Sequence, residues 1–109
     1  MTILDKNIID SIGTRDSDGA VNLVISDHLS WSDEVGEHLL ALQDKLNSYI
    51  GFIESSEIYS TFPAASGKRL VINIYFNFPP SAEGISFLSQ VESILNGIGV
   101  GLETTVLDS

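Results

Sequence analysis

Hydrophobic residues occupy every second position in one segment of the chain. In RLVINIYFNF, residues 69 to 78, the alternating apolar side chains are Leu70, Ile72, Ile74, Phe76 and Phe78. Because successive side chains of a strand point to opposite faces of a sheet, all five project from one face. The segment is therefore predicted to be a strand. Pro79 and Pro80 end it, because proline lacks the N–H group of a sheet ladder.

Two other segments have the three- and four-residue spacing of an amphipathic helix. The first begins near Ser32 and runs to about Glu54, with Ser30 or Ser32 as its N-cap. Its apolar stripe consists of Val35, Leu39, Leu42, Leu46, Tyr49, Ile50 and Ile53. The second follows a cap at Ser81 and ends at NGIGVG, residues 96 to 101. Its stripe consists of Ile85, Leu88, Val91, Leu95 and Ile98.

Turn-forming residues separate the remaining apolar segments into strands. TRDSDG, residues 14 to 19, joins a short apolar start at Ile8, Ile9 and Ile12 to AVNLVISD, residues 20 to 27, which predicts a hairpin. EIYSTFP, residues 57 to 63, is predicted to form a second hairpin with residues 69 to 78. The β-branched content of LETTVLD, residues 102 to 108, predicts a last strand.

These elements predict one α+β domain over residues 1–109. The order ββαββαβ is that of a ferredoxin-like two-layer sandwich with an extra N-terminal strand, in which two helices cover one face of an antiparallel sheet. The alternative is that residues 57 to 63 continue the helix or coil. The order is then ββαβαβ and the sheet is mixed, with a long link before Arg69.

Composition narrows the classes of function. The chain is 43% hydrophobic and 18% charged, so it has enough apolar surface to fold. Fifteen acidic residues against five basic ones give a net charge of −10, which repels nucleic acids and anionic membranes and favours a basic protein partner. The absence of cysteine excludes disulfides and thiolate chemistry. The start, MTILDKNIID, has no long apolar run, so we expect neither a signal peptide nor a membrane anchor, and by default a cytoplasmic location.

One short segment concentrates the candidate chemistry. SDHLSWSDEVGEH, residues 26 to 38, contains both histidines and the only tryptophan. Glu34 and His38 are four positions apart, a spacing at which two side chains of a helix can ligate one metal ion, and Asp27 and His28 could add ligands. Known metal motifs such as HExxH are absent, however.

We therefore interpret this segment as structural and expect no catalytic residue, no cofactor and no metal. The acids near the helix start, Asp33, Glu34 and Glu37, suit the positive end of the helix dipole. His38 then lies at the border of the apolar stripe. Trp31 is predicted to pack back on Val35 or Leu39 as a hydrophobic staple.

Three other motifs have simpler explanations than ligand binding. The glycines of NGIGVG follow a helix and precede a strand, the reverse of a dinucleotide fingerprint, so they indicate helix termination. Lys68 and Arg69 are two charges in a solvated turn. Asp16 and Asp18 resemble the start of a calcium loop, but the downstream glutamate that such a loop needs is absent.

The face of the sheet away from the helices is the predicted interaction surface. It consists of Asn22, Val24, Val71, Asn73, Tyr75 and Asn77. A mean hydropathy of +0.20 is high for a small domain, which suggests that apolar area remains for a partner.

Several features together resemble a family of small bacterial proteins without an assigned function. They are ISDHLSW, residues 25 to 31, a helix that ends in Phe-Ile-Glu-Ser with a tyrosine shortly after, Phe-Pro before a Gly-Lys turn, and a strand that runs into Pro-Pro. The resemblance covers nearly the whole chain but implies no catalytic motif. The chain is also similar, in size and charge alone, to the small acidic α+β proteins that neutralise bacterial toxins.

Three hypotheses for function follow. The first is a non-catalytic protein-binding module with an acidic surface, such as an immunity-like inhibitor of a basic toxin. The second is a homodimer in which the open face of the sheet pairs with itself, since such a contact needs only one self-complementary patch. The third is a metal-dependent enzyme or small-molecule binder that uses Asp27, His28, Glu34 and His38.

We predict that moderate salt raises the melting temperature. Ten net negative charges on a small domain repel one another, and salt at 0.15 M screens charges beyond about 8 Å. Thermal melts over a series of sodium chloride concentrations test this. A melting temperature that falls steadily with salt would show that specific ion pairs outweigh the net repulsion.

Overall fold

A computed structural model describes residues 9–32 and 34–107. These residues form four strands and three α-helices in the order ββααβαβ. The elements are β1 Ser11–Thr14, β2 Val21–Asp27, α1 Val35–Glu54, α2 Glu57–Thr61, β3 Leu70–Phe76, α3 Ala82–Gly97 and β4 Val100–Val106. A short 3-10 helix, Pro63–Ala65, follows α2.

The strands form one mixed sheet in the order β1-β2-β3-β4. β1 and β2 are antiparallel, as expected for the predicted hairpin, whereas β2, β3 and β4 are parallel neighbours. Val21 lies opposite Leu70, and Leu70 lies opposite Val100. Because parallel neighbours need a crossover connection, α1 with α2 joins β2 to β3, and α3 joins β3 to β4.

The α+β class is confirmed, but the ferredoxin-like antiparallel sheet is wrong. The structure has the mixed sheet of the alternative order ββαβαβ, with α2 as an additional short helix after α1. Residues 57 to 63 form α2 and the start of the 3-10 helix rather than a strand, and these two elements occupy the long link before Arg69. The β-branched and aromatic content of this segment suggested a strand. In the structure it packs as a helical turn that buries Ile58 completely.

The core lies between one face of the sheet and the helices. The inward strand residues alternate as predicted, and each is at most 6% exposed: Val21, Leu23, Ile25, Leu70, Ile72, Ile74, Phe76 and Val100. They form one cluster with residues of both long helices, namely Leu42, Leu46, Tyr49, Leu88, Val91 and Leu95. Both helices therefore cover the same face, as predicted.

The register also confirms which residues face away from the helices. Asn22 pairs with Val71, Val24 with Asn73, and Ser26 with Tyr75. Two members of the predicted interaction surface are nevertheless buried, because Val71 is 0% and Asn73 7% exposed. Asn77 lies beyond the end of β3.

Arginine side chains cover part of this far face. A Cβ atom added to Gly101 would lie 2.8 Å from the Arg69 guanidinium and 3.5 Å from Val71. Arg15, after β1, reaches Glu103 of β4 at 2.6 Å. Periodicity assigns side chains to a face, but it does not show how far long side chains extend across that face.

The helix ends differ in how well they were predicted. Ser81 caps α3 and accepts a hydrogen bond from the Gly84 N–H, as expected. α3 ends at Gly97, within the segment NGIGVG, and Gly99 shortly after it has a φ angle of +79°. The N-cap of α1 is neither Ser30 nor Ser32 but Glu34, in a left-handed conformation with φ 49°. Ile8 and Asp33 lie outside the described residues.

Among the described residues, no helix combines the length and apolar content needed to cross a membrane.

Candidate functional site

A buried acid–histidine pair lies where β2 meets α1. Asp27 is the last residue of β2 and faces the helices with 1% exposure, and His38, in the first turn of α1, is 3% exposed. Their Oδ2 and Nε2 atoms are 2.6 Å apart. The other carboxyl oxygen of Asp27 accepts a hydrogen bond from the Leu29 N–H. Two of the four candidate metal ligands are thus brought together.

Hydrogen bonds fix the orientation of the His38 ring. His38 Nδ1 lies 3.1 Å from the backbone oxygen of Ser30, which can only accept, so Nδ1 donates this hydrogen bond. Nε2 lies 2.6 Å from Oδ2 of Asp27. Both ring nitrogens are therefore engaged within the protein, and neither is free to ligate a metal or to take a proton from a substrate.

Trp31 covers the Asp27–His38 pair. Its ring stacks on His38 with centroids 3.7 Å apart and 24° between the planes, and its centroid lies 6.0 Å from that of Phe76. Val35 and Leu39 also pack against the core cluster that contains Trp31, and the staple itself stays a prediction. A Cβ atom on Gly84 would lie 2.9 Å from the tryptophan ring, so the ring lies directly against the first turn of α3.

A second buried charge pair connects α1 to the segment before β1. Lys45 Nζ lies 2.9 Å from Asp10 Oδ1, and the two residues are 0% and 8% exposed. Asp10 Oδ2 accepts from the Ser26 N–H, and the Asp10 N–H donates to the hydroxyl of Tyr49. That hydroxyl donates to the Val24 carbonyl. Burial raises the pKa of Tyr49 well above its usual value, so the hydroxyl stays a donor.

Sequence reasoning did not identify this second pair. The sequence feature that could have revealed this pair is Lys45, which lies on the buried stripe of α1, three positions after Leu42 and four before Tyr49. A lysine at such a position predicts a buried carboxylate partner, because an unpaired buried charge is too costly. Which of fifteen acids supplies that carboxylate depends on the tertiary structure.

The other candidate ligands do not join the Asp27–His38 pair. His28 is exposed, and Glu34 is an exposed N-cap whose backbone oxygen accepts the His38 N–H. Among the described residues, no three His, Asp or Glu side chains are grouped closely enough to hold a metal ion.

The acidic turn before β2 forms ion pairs within the protein. Arg15 contacts Asp18 and Glu103, each at 2.6 Å. These partners raise the pKa of Arg15, and the arginine lowers the pKa of Asp18. Asp18 also accepts the Ala20 N–H. Lys68 is exposed, as expected for a solvated turn, whereas Arg69, although exposed, also extends to Gly101 on the far face of the sheet.

A groove lies between α1 and α3. Its volume is about 320 Å³. It is lined by Gln43, Leu46, Asn47, Ile50, Phe87, Gln90, Val91 and Ile94. Ile94 is 60% exposed, so the groove presents apolar surface to solvent.

Comparison with known proteins identifies a family for the chain. A family model, described as Family of unknown function (DUF6572), matches residues 1–108. No curated protein and no solved structure matches the chain. The expected resemblance to a family without an assigned function is thus confirmed. In the segment ISDHLSW, Ile25 and Trp31 belong to the buried core and Leu29 packs against it.

We predict that His38→Ala destabilises the protein by about 3–5 kcal/mol, because the variant leaves the Asp27 carboxyl buried without its partner. His28→Ala is the matched control and should change stability by less than about 0.5 kcal/mol, since His28 is exposed. Urea unfolding measures both. Equal losses in the two variants would contradict the structural role of the pair.

We also predict opposite effects of two glycine-to-alanine changes in helices. Gly84→Ala places a methyl group against Trp31 and should cost about 1–3 kcal/mol. Gly51→Ala has nothing within 4 Å and should stabilise α1 by up to about 1 kcal/mol. Thermal melts of the two variants test the contact. A Gly84→Ala protein as stable as Gly51→Ala would show that Trp31 does not pack there.

Proposed function

Because the chain belongs to the DUF6572 family of unknown function, we propose its role from its own surface: a non-catalytic module that binds a basic, amphipathic helix of a partner protein in the groove between α1 and α3. The single observation that supports this proposal most is the charge of the helical layer. Neutralisation of a basic toxin, as by an immunity protein, is one form that this role could take.

The charged residues that the helices present at the surface are all acidic. Their described acids, including the N-cap of α1, are Glu34, Glu37, Asp44, Glu54, Glu57, Glu83 and Glu92. Lys45 is the only cation in the three helices, and it is buried against Asp10. The other described cations, Arg15, Lys68 and Arg69, lie in turns that precede β2 and β3. A cationic partner is thus attracted to the helical layer.

The groove between α1 and α3 provides an apolar surface beside these negative charges. Gln43 and Ile50 of α1 line it about two turns apart, as do Phe87 and Ile94 of α3. Glu83 lies one helical turn before Phe87, and Glu54 lies one helical turn after Ile50. A carboxylate is therefore placed just beyond each end of the groove. An apolar stripe flanked by lysine or arginine matches this surface, which is the helix-in-groove mode of recognition.

The buried polar pairs support a non-catalytic role. The Asp27–His38 pair is shielded by Trp31 and has both ring nitrogens engaged. A substrate could reach it only after the core opened.

The proposal predicts a specific dependence on Ile94. The probe is a synthetic amphipathic helix with leucine on one face and lysine on the other, and a peptide of the same composition in scrambled order controls for charge alone. Ile94→Ser should weaken binding of the amphipathic peptide by about tenfold, because the apolar wall of the groove is lost. Added salt should also weaken binding. Fluorescence anisotropy measures the dissociation constants.

Ile85→Ser is the matched control. Ile85 is also 60% exposed and lies on the same helix, but nine positions from Ile94, which is about half a turn around the axis. Binding should be unchanged in this variant. Equal binding of the scrambled peptide, or equal effects of the two serine variants, would refute groove recognition.

A further inference from the structure

We propose that the outer edge of β4, which pairs with no other strand among the described residues, binds a second copy of the chain, so that two four-stranded sheets join into one sheet across a two-fold axis at Thr104. This surface is separate from the α1–α3 groove. It lies on the opposite side of α3, and it does not depend on the proposed recognition of a basic helix.

The edge of β4 lacks the features that usually prevent strand pairing. β1, at the other edge of the sheet, is only four residues long. β4 has seven residues, pairs with β3 without a bulge, and contains no proline, lysine or arginine. Monomeric proteins commonly protect a long edge with such residues or with a bulge.

The backbone of β4 has hydrogen-bonding groups directed to this edge. The Leu107 N–H donates to the Phe76 oxygen of β3. Because the direction of backbone groups alternates along a strand, the N–H groups of Thr104 and Val106 point away from β3. They can donate to a strand that adds at the edge.

Apolar side chains extend the surface beyond the backbone. A groove of about 350 Å³ separates α3 from β4, and Pro80, Ile85, Leu88, Leu102 and Thr104 are among the residues that line it. Ile85 is 60%, Val106 42% and Leu107 46% exposed. A second copy would cover these side chains, which provides the burial that strand pairing alone does not.

The charge of the edge favours a second copy over a cationic partner. Glu103 is the only charged residue of β4, and it is paired with Arg15. Glu92 of α3 is the one charged residue at the groove. A nearly neutral edge on a chain of net charge −10 is the surface on which two such chains repel each other least.

Cross-strand pairing selects the register. An antiparallel pair centred on Thr104 places Leu102 opposite Val106 of the second copy and Glu103 opposite Thr105. A pair centred on Glu103 would place two carboxylates opposite each other. Apolar and Thr–Thr pairs stabilise an antiparallel ladder, and like charges destabilise it, so the axis lies at Thr104.

The test is sedimentation equilibrium from low to high micromolar concentration. The full chain should show twice the monomer mass at high concentration. Thr104→Lys places two ammonium groups face to face and should raise the dimer dissociation constant by about tenfold or more, whereas Thr104→Val should preserve the dimer. Circular dichroism melts verify that each variant folds.

Two further measurements test the dimer without relying on the Thr104 variants. Ile85→Ser should weaken the dimer and Ile94→Ser should not, the reverse of their effects on the basic peptide. Added salt should strengthen the dimer, because it screens the repulsion between two acidic chains. A wild-type chain that stays monomeric, or a dimer that tolerates Thr104→Lys, overturns the proposal without affecting the peptide result.

Discussion

The parallel pairing of β2, β3 and β4 is the constraint on which the architecture depends. Parallel neighbours cannot be joined by a tight turn, so each connection must cross the sheet as a helix. The strands also follow one another in space as they do in sequence, and both crossovers lie on the same side. Among the described residues, the core cluster therefore lies on one face of the sheet, and no strand pairs with the outer edge of β4 beside α3.

Two buried polar pairs fix α1 on this sheet. His38 and Lys45 are seven positions apart, about two turns, so both point from α1 toward the strands. One binds the end of β2 through Asp27, and the other binds Asp10 before β1. Buried pairs are weak evidence for added stability, but a shift of the helix by one turn would leave four charged or polar groups unmatched. Their effect is to specify one position of the helix.

Much of the secondary structure was predictable because it depends on local periodicity. The alternation from Leu70 to Phe76 and the long stripe of α1 both gave the correct element. Strand direction was not predictable, since antiparallel and parallel neighbours bury the same alternating residues. The assignment of residues 57 to 63 then decided between two topologies, and its β-branched content favoured the wrong one. The Asp10–Lys45 pair joins residues 35 positions apart, and the Trp31–Gly84 contact joins residues 53 positions apart. A local sequence pattern cannot predict contacts between residues so far apart in the chain.

Gly84 and Trp31 determine how closely α3 approaches the rest of the protein at its first turn. Near the other end of α3, Leu95 is completely buried in the core, although the residues around it in the last turn are exposed. The helix is thus fixed against the core at both ends. Since α3 forms one wall of both grooves, its position sets the width of each. A substitution that displaces α3 at Gly84 therefore alters both grooves at once.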